Sequence, residues 1–186
     1  SRIKNNIINS TRAGGTGVLF GGKGTAVGSP TVEGNTITAD IGIDGDADDV
    51  NIRNNTIKSY SSDSNSDSGI KIYGSGLIAY NEVRGYYVGV IFTQSPGPFV
   101  VEKNTIVKNC YGILVSTLSP STIQNNIIAS EIGGVSFTSS YGIYRNLGAA
   151  GNSTYNDLYA NDTNWSGISS GEGDISKPAH FMDAVN

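Results

Sequence analysis

Aliphatic positions along this chain keep station around a recurring asparagine. The anchors are Asn6, Asn35, Asn55, Asn81, Asn104 and Asn126, in the phrases KNNII, EGNTI, RNNTI, AYNEV, EKNTI and QNNII. Three residues before them stand Ile3, Val32, Ile52, Ile78, Val101 and Ile123, and two after them stand Ile8, Ile37, Ile57, Val83, Ile106 and Ile128. Every one is a β-branched aliphatic, which chance does not produce. Asn146, in YRNLG, is a seventh and weaker anchor. The interval wanders but centres on about 23 residues, within the range of solenoid repeats.

A second phrase interleaves with the first, beginning at Gly17, Gly42, Gly69, Gly89, Gly112 and Gly134. Val18, Ile43, Ile70, Val90, Ile113 or Val135 follows the glycine. Two positions further on stand Phe20, Gly45, Ile72, Phe92, Val115 and Phe137, with the mixed set Leu19, Asp44, Lys71, Ile91, Leu114 and Ser136 between. That is period-two alternation, one face in and one face out, and no segment sustains a helical period.

Short strands, a repeat of this length and an asparagine at a fixed bend predict an all-β parallel solenoid of about seven coils. Coils stack about 4.8 Å apart, so equivalent residues form columns and the rod is about 30 Å tall. The Val and Ile columns fill a dry core. The Asn column forms a ladder of side-chain amides that satisfy one another at the corner. Residues 1–154 carry the coils, and 155–186, beginning YNDLYAND, read as a closing segment of the same domain.

The repeats from Ile3 to about Asn146 resemble the right-handed parallel β-helix proteins, a group that includes the pectate lyases and many cell-surface proteins. The handedness rests on that resemblance. It also implies an extracellular setting, secreted or on the cell surface, and polysaccharide as the partner. The fold hosts lyases, hydrolases, adhesins and inert spacers alike, so activity must be argued from residues. The opening triplet Arg2-Ile3-Lys4 matches one signature of the polygalacturonases, yet Ile3 belongs to an inward column and Arg2 and Lys4 merely flank it. Those enzymes also need a Gly-His-Gly setting, and the one histidine, His180, stands in the tail. The triplet is read as part of the repeat.

Composition narrows the partners. Charged residues make up 15% of the chain and the net charge is −4, which argues against a nucleic-acid surface. One cysteine, Cys110, excludes an internal disulfide framework. No apolar run approaches the roughly 18 residues of a membrane span. The chain begins without Met and in mid-pattern, and we expect it to be part of a larger protein. Neighbouring domains or a partner would then cover the first coil over Ile3 and Ile8.

The densest acidic stretch is ADIGIDGDADDV, with Asp40, Asp44, Asp46, Asp48 and Asp49. Asp44, Asp46 and Asp48 have the alternate spacing by which loop carboxylates converge on Ca²⁺, although Asp and Gly also suit plain tight turns. Stacking places Asp44 beside Lys71 and Asp46 beside Tyr73, in two outward columns of one sheet. A lyase acting on an acidic polysaccharide needs a carboxylate neutraliser, often Ca²⁺, and a base such as Lys or Tyr. Asp44, Lys71 and Tyr73 are therefore the candidate catalytic set, against the alternative of an ordinary cross-strand ion pair beside a tyrosine. Tyr73, Tyr86 and Tyr87, with Lys71, are the candidate sugar contacts. Tyr111 and Trp165 share the aromatic character, which serves cores as readily as sugars. The insertions Ser59–Gly69 and Gly21–Pro30 read as solvated loops.

Two functions remain open on this reading. One is a polysaccharide-binding or polysaccharide-degrading module; if an enzyme, it is a lyase or a glycoside hydrolase, whole or in part. The other is a non-catalytic spacer or adhesin.

Overall fold

The computed structural model describes residues 1–21, 28–61, 67–93, 97–130, 139–147 and 151–176. Among them the chain winds as a parallel solenoid of three sheets, here called A, B and C, each with seven strands. Every coil gives one strand to each sheet in that order. The first coil supplies Arg2–Lys4, Ile7–Asn9 and Thr16–Phe20; the last supplies Gly151–Thr154, Asp157–Tyr159 and Thr163–Ser166. The coils thus run past residue 154, and only Gly167 to Ser176 lie across the end as a closing strap.

The column assignment holds in register. Ile3, Val32 and Ile52 align in sheet A, and Ile37, Ile57 and Val83 in sheet B. Nine of the twelve positions around the anchors are 0% exposed, Val32 is 1% exposed, and Ile3 and Ile8 at the open end are partly buried. The rings of Phe92, in sheet C, and Phe99, in sheet A, stack 3.5 Å apart across the interior. Phe20 fills the space that Gly45 leaves in the next coil. Of the glycine phrases, Gly134 to Phe137 lie outside the described residues; strand Tyr141–Arg145 occupies the sixth position, with Ile143 paired to Ile113.

The asparagine ladder turns the chain from sheet A into sheet B. The Oδ1 of Asn81 accepts from the backbone N–H of Asn55 at 3.0 Å and from its Nδ2 at 2.9 Å. Asn81 in turn donates from both nitrogens to Asn104 Oδ1, at 2.9 and 3.0 Å. The same pattern runs from Asn6 through Asn126. Its seventh rung is Asn156, whose Oδ1 accepts from Asn126 N–H at 3.0 Å. The weaker anchor Asn146 is therefore corrected: it is exposed, because the sixth coil is long and the next bend falls 30 residues after Asn126.

The residue before each rung lies in the left-handed region, from Asn5 (φ 55°) through Gly34 (φ 68°), Asn54, Tyr80, Lys103 and Asn125 to Tyr155 (φ 54°). That conformation makes the sharp bend which aims the asparagine inward.

Candidate functional site

The opening triplet resolves first. Lys4, Glu33 and Arg53 form one outward column of sheet A. The Lys4 ammonium pairs with the Glu33 carboxylate, and Arg53 Nε lies 3.0 Å from its other oxygen. Lys4, then Arg53, hold the Glu33 carboxyl below its ordinary pKa. Further along, Gln124 Nε2 donates to Glu102 Oε2 at 2.8 Å. The Lys4 cation of Arg-Ile-Lys serves coil stacking.

The candidate site lies on the outer face of sheet C. Strands Ile41–Gly45 and Ser68–Ile72 are neighbours there, with Asp44 opposite Lys71. Asp46 and Tyr73 continue the same pair of chains, and Tyr73 N–H donates to Gly45 O at 2.9 Å. The Lys71 ammonium sits 5.1 Å from the centre of the Tyr73 ring. A cation over a ring face is attracted by the ring's quadrupole, and among the described residues Lys71 makes no direct ion pair with Asp44. The Tyr73 hydroxyl raises the Lys71 pKa, burial opposes it, and Asp44 raises it again. Burial pushes the Asp44 carboxyl above its ordinary range, Lys71 pulls it back, and Asp46 adds a further push upward.

Asp44, Asp46, Lys71 and Tyr73 are therefore brought together as expected. Asp48 is not: it is exposed on the bend beyond the strand, where the Ser75 hydroxyl reaches its Oδ1 at 3.4 Å. Among the described residues no group of three or more acidic, histidine or cysteine side chains gathers closely enough to hold a metal ion.

Tyr86 is corrected as a sugar contact. It is 0% exposed, its hydroxyl donates to Ala39 O at 3.0 Å, and its N–H donates to Asn109 Oδ1 at 2.9 Å. The corner between sheets B and C points this position inward, and burial drives the phenol pKa far up. Trp165 likewise packs against the core, in the column of Ile143.

A cluster that single phrases do not reveal lies further along the same face. Tyr111 and Tyr141 are register partners with rings stacked 5.0 Å apart. Tyr144 meets both edge-on, at 5.5 and 5.1 Å, and Tyr87 meets Tyr111 at 5.5 Å. The signal was present in YGIL and YGIY, where tyrosine precedes the repeat glycine in two consecutive coils. One outward column runs Asp44, Lys71, Ile91, Leu114, Tyr144, so Lys71 and Tyr144, at the far side of the tyrosine cluster, are three coil steps apart. At about 4.8 Å per step that is some 15 Å along one face.

Architecture and face together define a right-handed β-helix domain. A family model described as right handed beta helix region matches residues 1–173, and the chain belongs to that family. No curated protein and no solved structure matches the chain. No helix among the described residues is long and apolar enough to cross a membrane.

Proposed function

We propose that the chain is a polysaccharide-binding β-helix module of a secreted or cell-surface protein, with the outer face of sheet C as its binding surface. The observation that carries this reading is the alignment on one rigid face of a ring-backed cation, Lys71 over Tyr73, with the tyrosines 87, 111, 141 and 144. Flat rings offer a face to pyranose C–H groups, and an ammonium offers a partner to a uronate carboxylate. The spacing suits an extended chain lying along the solenoid axis.

Binding is favoured over degradation by the state of Lys71. Tyr73 and Asp44 stabilise its ammonium, and a protonated lysine is a poor general base. Asp44 and Asp46 are mutually repulsive carboxylates, the electrostatic situation a shared Ca²⁺ relieves. Such an ion, if bound, would bridge them to an acidic sugar. Ile3 and Ile8 stay partly exposed where their column mates are buried, which supports a partner surface over the first coil.

Binding to an array of acidic and neutral polysaccharides tests the reading. Lys71→Ala and Tyr111→Ala should each weaken binding about three- to tenfold, with the melting temperature nearly unchanged in Lys71→Ala and lowered in Tyr111→Ala by the loss of its ring contacts. Calcium should raise the wild-type melting temperature but not that of an Asp44→Ala, Asp46→Ala double variant. Full affinity in both single variants would favour the spacer or adhesin reading.

A further inference from the structure

Away from sheet C's outer face, the corner between sheets B and C holds a cleft of about 340 Å³ lined by Lys58, Arg84 and Lys108, with Ser59, Tyr60 and Ser61. The three cations come from consecutive coils. Lys58 and Arg84 are register partners, and Lys108 follows Val107, the partner of Arg84 in the next strand. Backbone bonds fix the main chain that carries them, Ser59 N–H to Arg84 O at 3.1 Å and Lys108 N–H to Ala129 O at 2.8 Å. Gly85 leaves one wall without a side chain.

The chain has 12 Lys and Arg against 16 Asp and Glu, so three cations with no carboxylate among the described residues of the lining is a local reversal of charge. Three acids stand behind this lining: Glu82 lies 3.6 Å from Arg84 Nε, and the Ser61 hydroxyl reaches the buried carboxylates of Asp40 at 3.0 Å and Asp67 at 3.4 Å. Tyr60 stands beside the cations, 49% exposed.

We propose that this cleft binds the anionic substituent, a carboxylate or a sulfate ester, of an acidic glycan. Arg84 takes the anion through its planar fork, Lys58 and Lys108 flank it, and the Tyr60 ring receives the adjoining sugar. Convergent cations in a concave wall concentrate positive potential there although the molecule is acidic overall. The site is separate from the Lys71 face and does not require it.

Isothermal titration of the intact chain with an oligogalacturonate, a sulfated oligosaccharide and a neutral oligosaccharide of equal length tests the proposal. At least one acidic ligand should bind, more weakly as salt rises, and whichever arm binds identifies the substituent. Lys58→Gln, Arg84→Gln and Lys108→Gln should each reduce that affinity about two- to fivefold, and the triple variant about tenfold or more, at unchanged melting temperature. Lys71→Ala should leave this contribution in place, which separates the cleft from the sheet C reading. Wild-type affinity in the triple variant overturns the proposal. So does equal binding of the neutral ligand, full competition by inorganic sulfate at the same concentration, or equal binding of an oligonucleotide of matched charge.

Discussion

At the scale of single residues the asparagines do two jobs with one side chain. Each Oδ1 receives two donors from the rung before, and each Nδ2 reaches backbone carbonyls at the bend, as Asn81 does with Ile52 and Ala79. Asn81→Leu keeps the branched shape but adds bulk and orphans the buried backbone N–H of Asn55, whose Nδ2 keeps Val32 O and Arg53 O, at about 1–3 kcal/mol. The variant should melt well below wild type; an unchanged melting temperature would mean the ladder is dispensable. Asp157 shows the reverse case. It stands in a column whose other members include Thr36, Thr56 and Thr105, and its Oδ1 is buried with no hydrogen-bond partner among the described residues. Burial raises its pKa above 3.8. A carboxyl with a raised folded-state pKa binds more protons folded than unfolded, so its burial costs stability at neutral pH. That cost fades as pH falls through the folded value toward 3.8. Asp157→Thr should therefore gain a few tenths to about 1 kcal/mol at pH 7. Melting at a series of pH values should show the gain vanish near pH 3.5; a gain that grows in acid would assign the effect elsewhere.

At the scale of elements, the repeated glycine is explained by closeness between coils. A Cβ on Gly89 would lie 2.6 Å from Ile106 Cγ2 and 2.7 Å from Gly112 O, and the column repeats this conflict with the next coil's aliphatic and glycine carbonyl. Gly89→Ala should cost about 1–3 kcal/mol, since one obstacle is backbone and cannot turn aside. Equilibrium denaturation measures it, and a neutral substitution would show that the sheets have room to separate. Ile106→Asp should abolish cooperative folding, as a carboxylate there is wholly buried and unpaired. These columns were legible in the sequence because stacking makes each position's environment identical from coil to coil. Legibility failed where a coil departed from the pattern. Asn156 has Leu158 two residues on, but Ser153 stands where Val or Ile stands elsewhere, and its hydroxyl is satisfied by Asp174 at 2.6 Å. The site was half legible for the same reason. Register follows from the repeat, so Asp44 beside Lys71 was readable. Whether a corner tyrosine turns in or out depends on packing, so Tyr86 was misplaced while the Tyr111, Tyr141 and Tyr144 cluster went unseen.

At the scale of the molecule the two ends differ. The C-terminal end is closed by its own strap. Asp174 Oδ1 accepts from Asn156 N–H at 2.7 Å in the place of an eighth rung, its Oδ2 accepts from Gly171 N–H at 2.8 Å, and Ile175 bridges to the last sheet B strand. Among the described residues no such strap covers the first coil: Asn6 is exposed, and Ile3 and Ile8 are only partly buried. In a stack where each coil contacts only its neighbours, stability is a sum of local interfaces, and ends fray before the middle. Backbone hydrogen exchange should then be slowest around Ile57, Val83 and Ile106 and fastest around Ile8. Asp174→Ala removes charge-assisted bonds from one end alone and should speed exchange in strands Gly151–Thr154 and Asp157–Tyr159 about ten- to hundredfold. Exchange at Ile3 and Ile8, six coils away, should not change. Equal acceleration in every coil would mean that the solenoid opens as one unit, and that its ends are as strongly coupled to the core as the core is to itself.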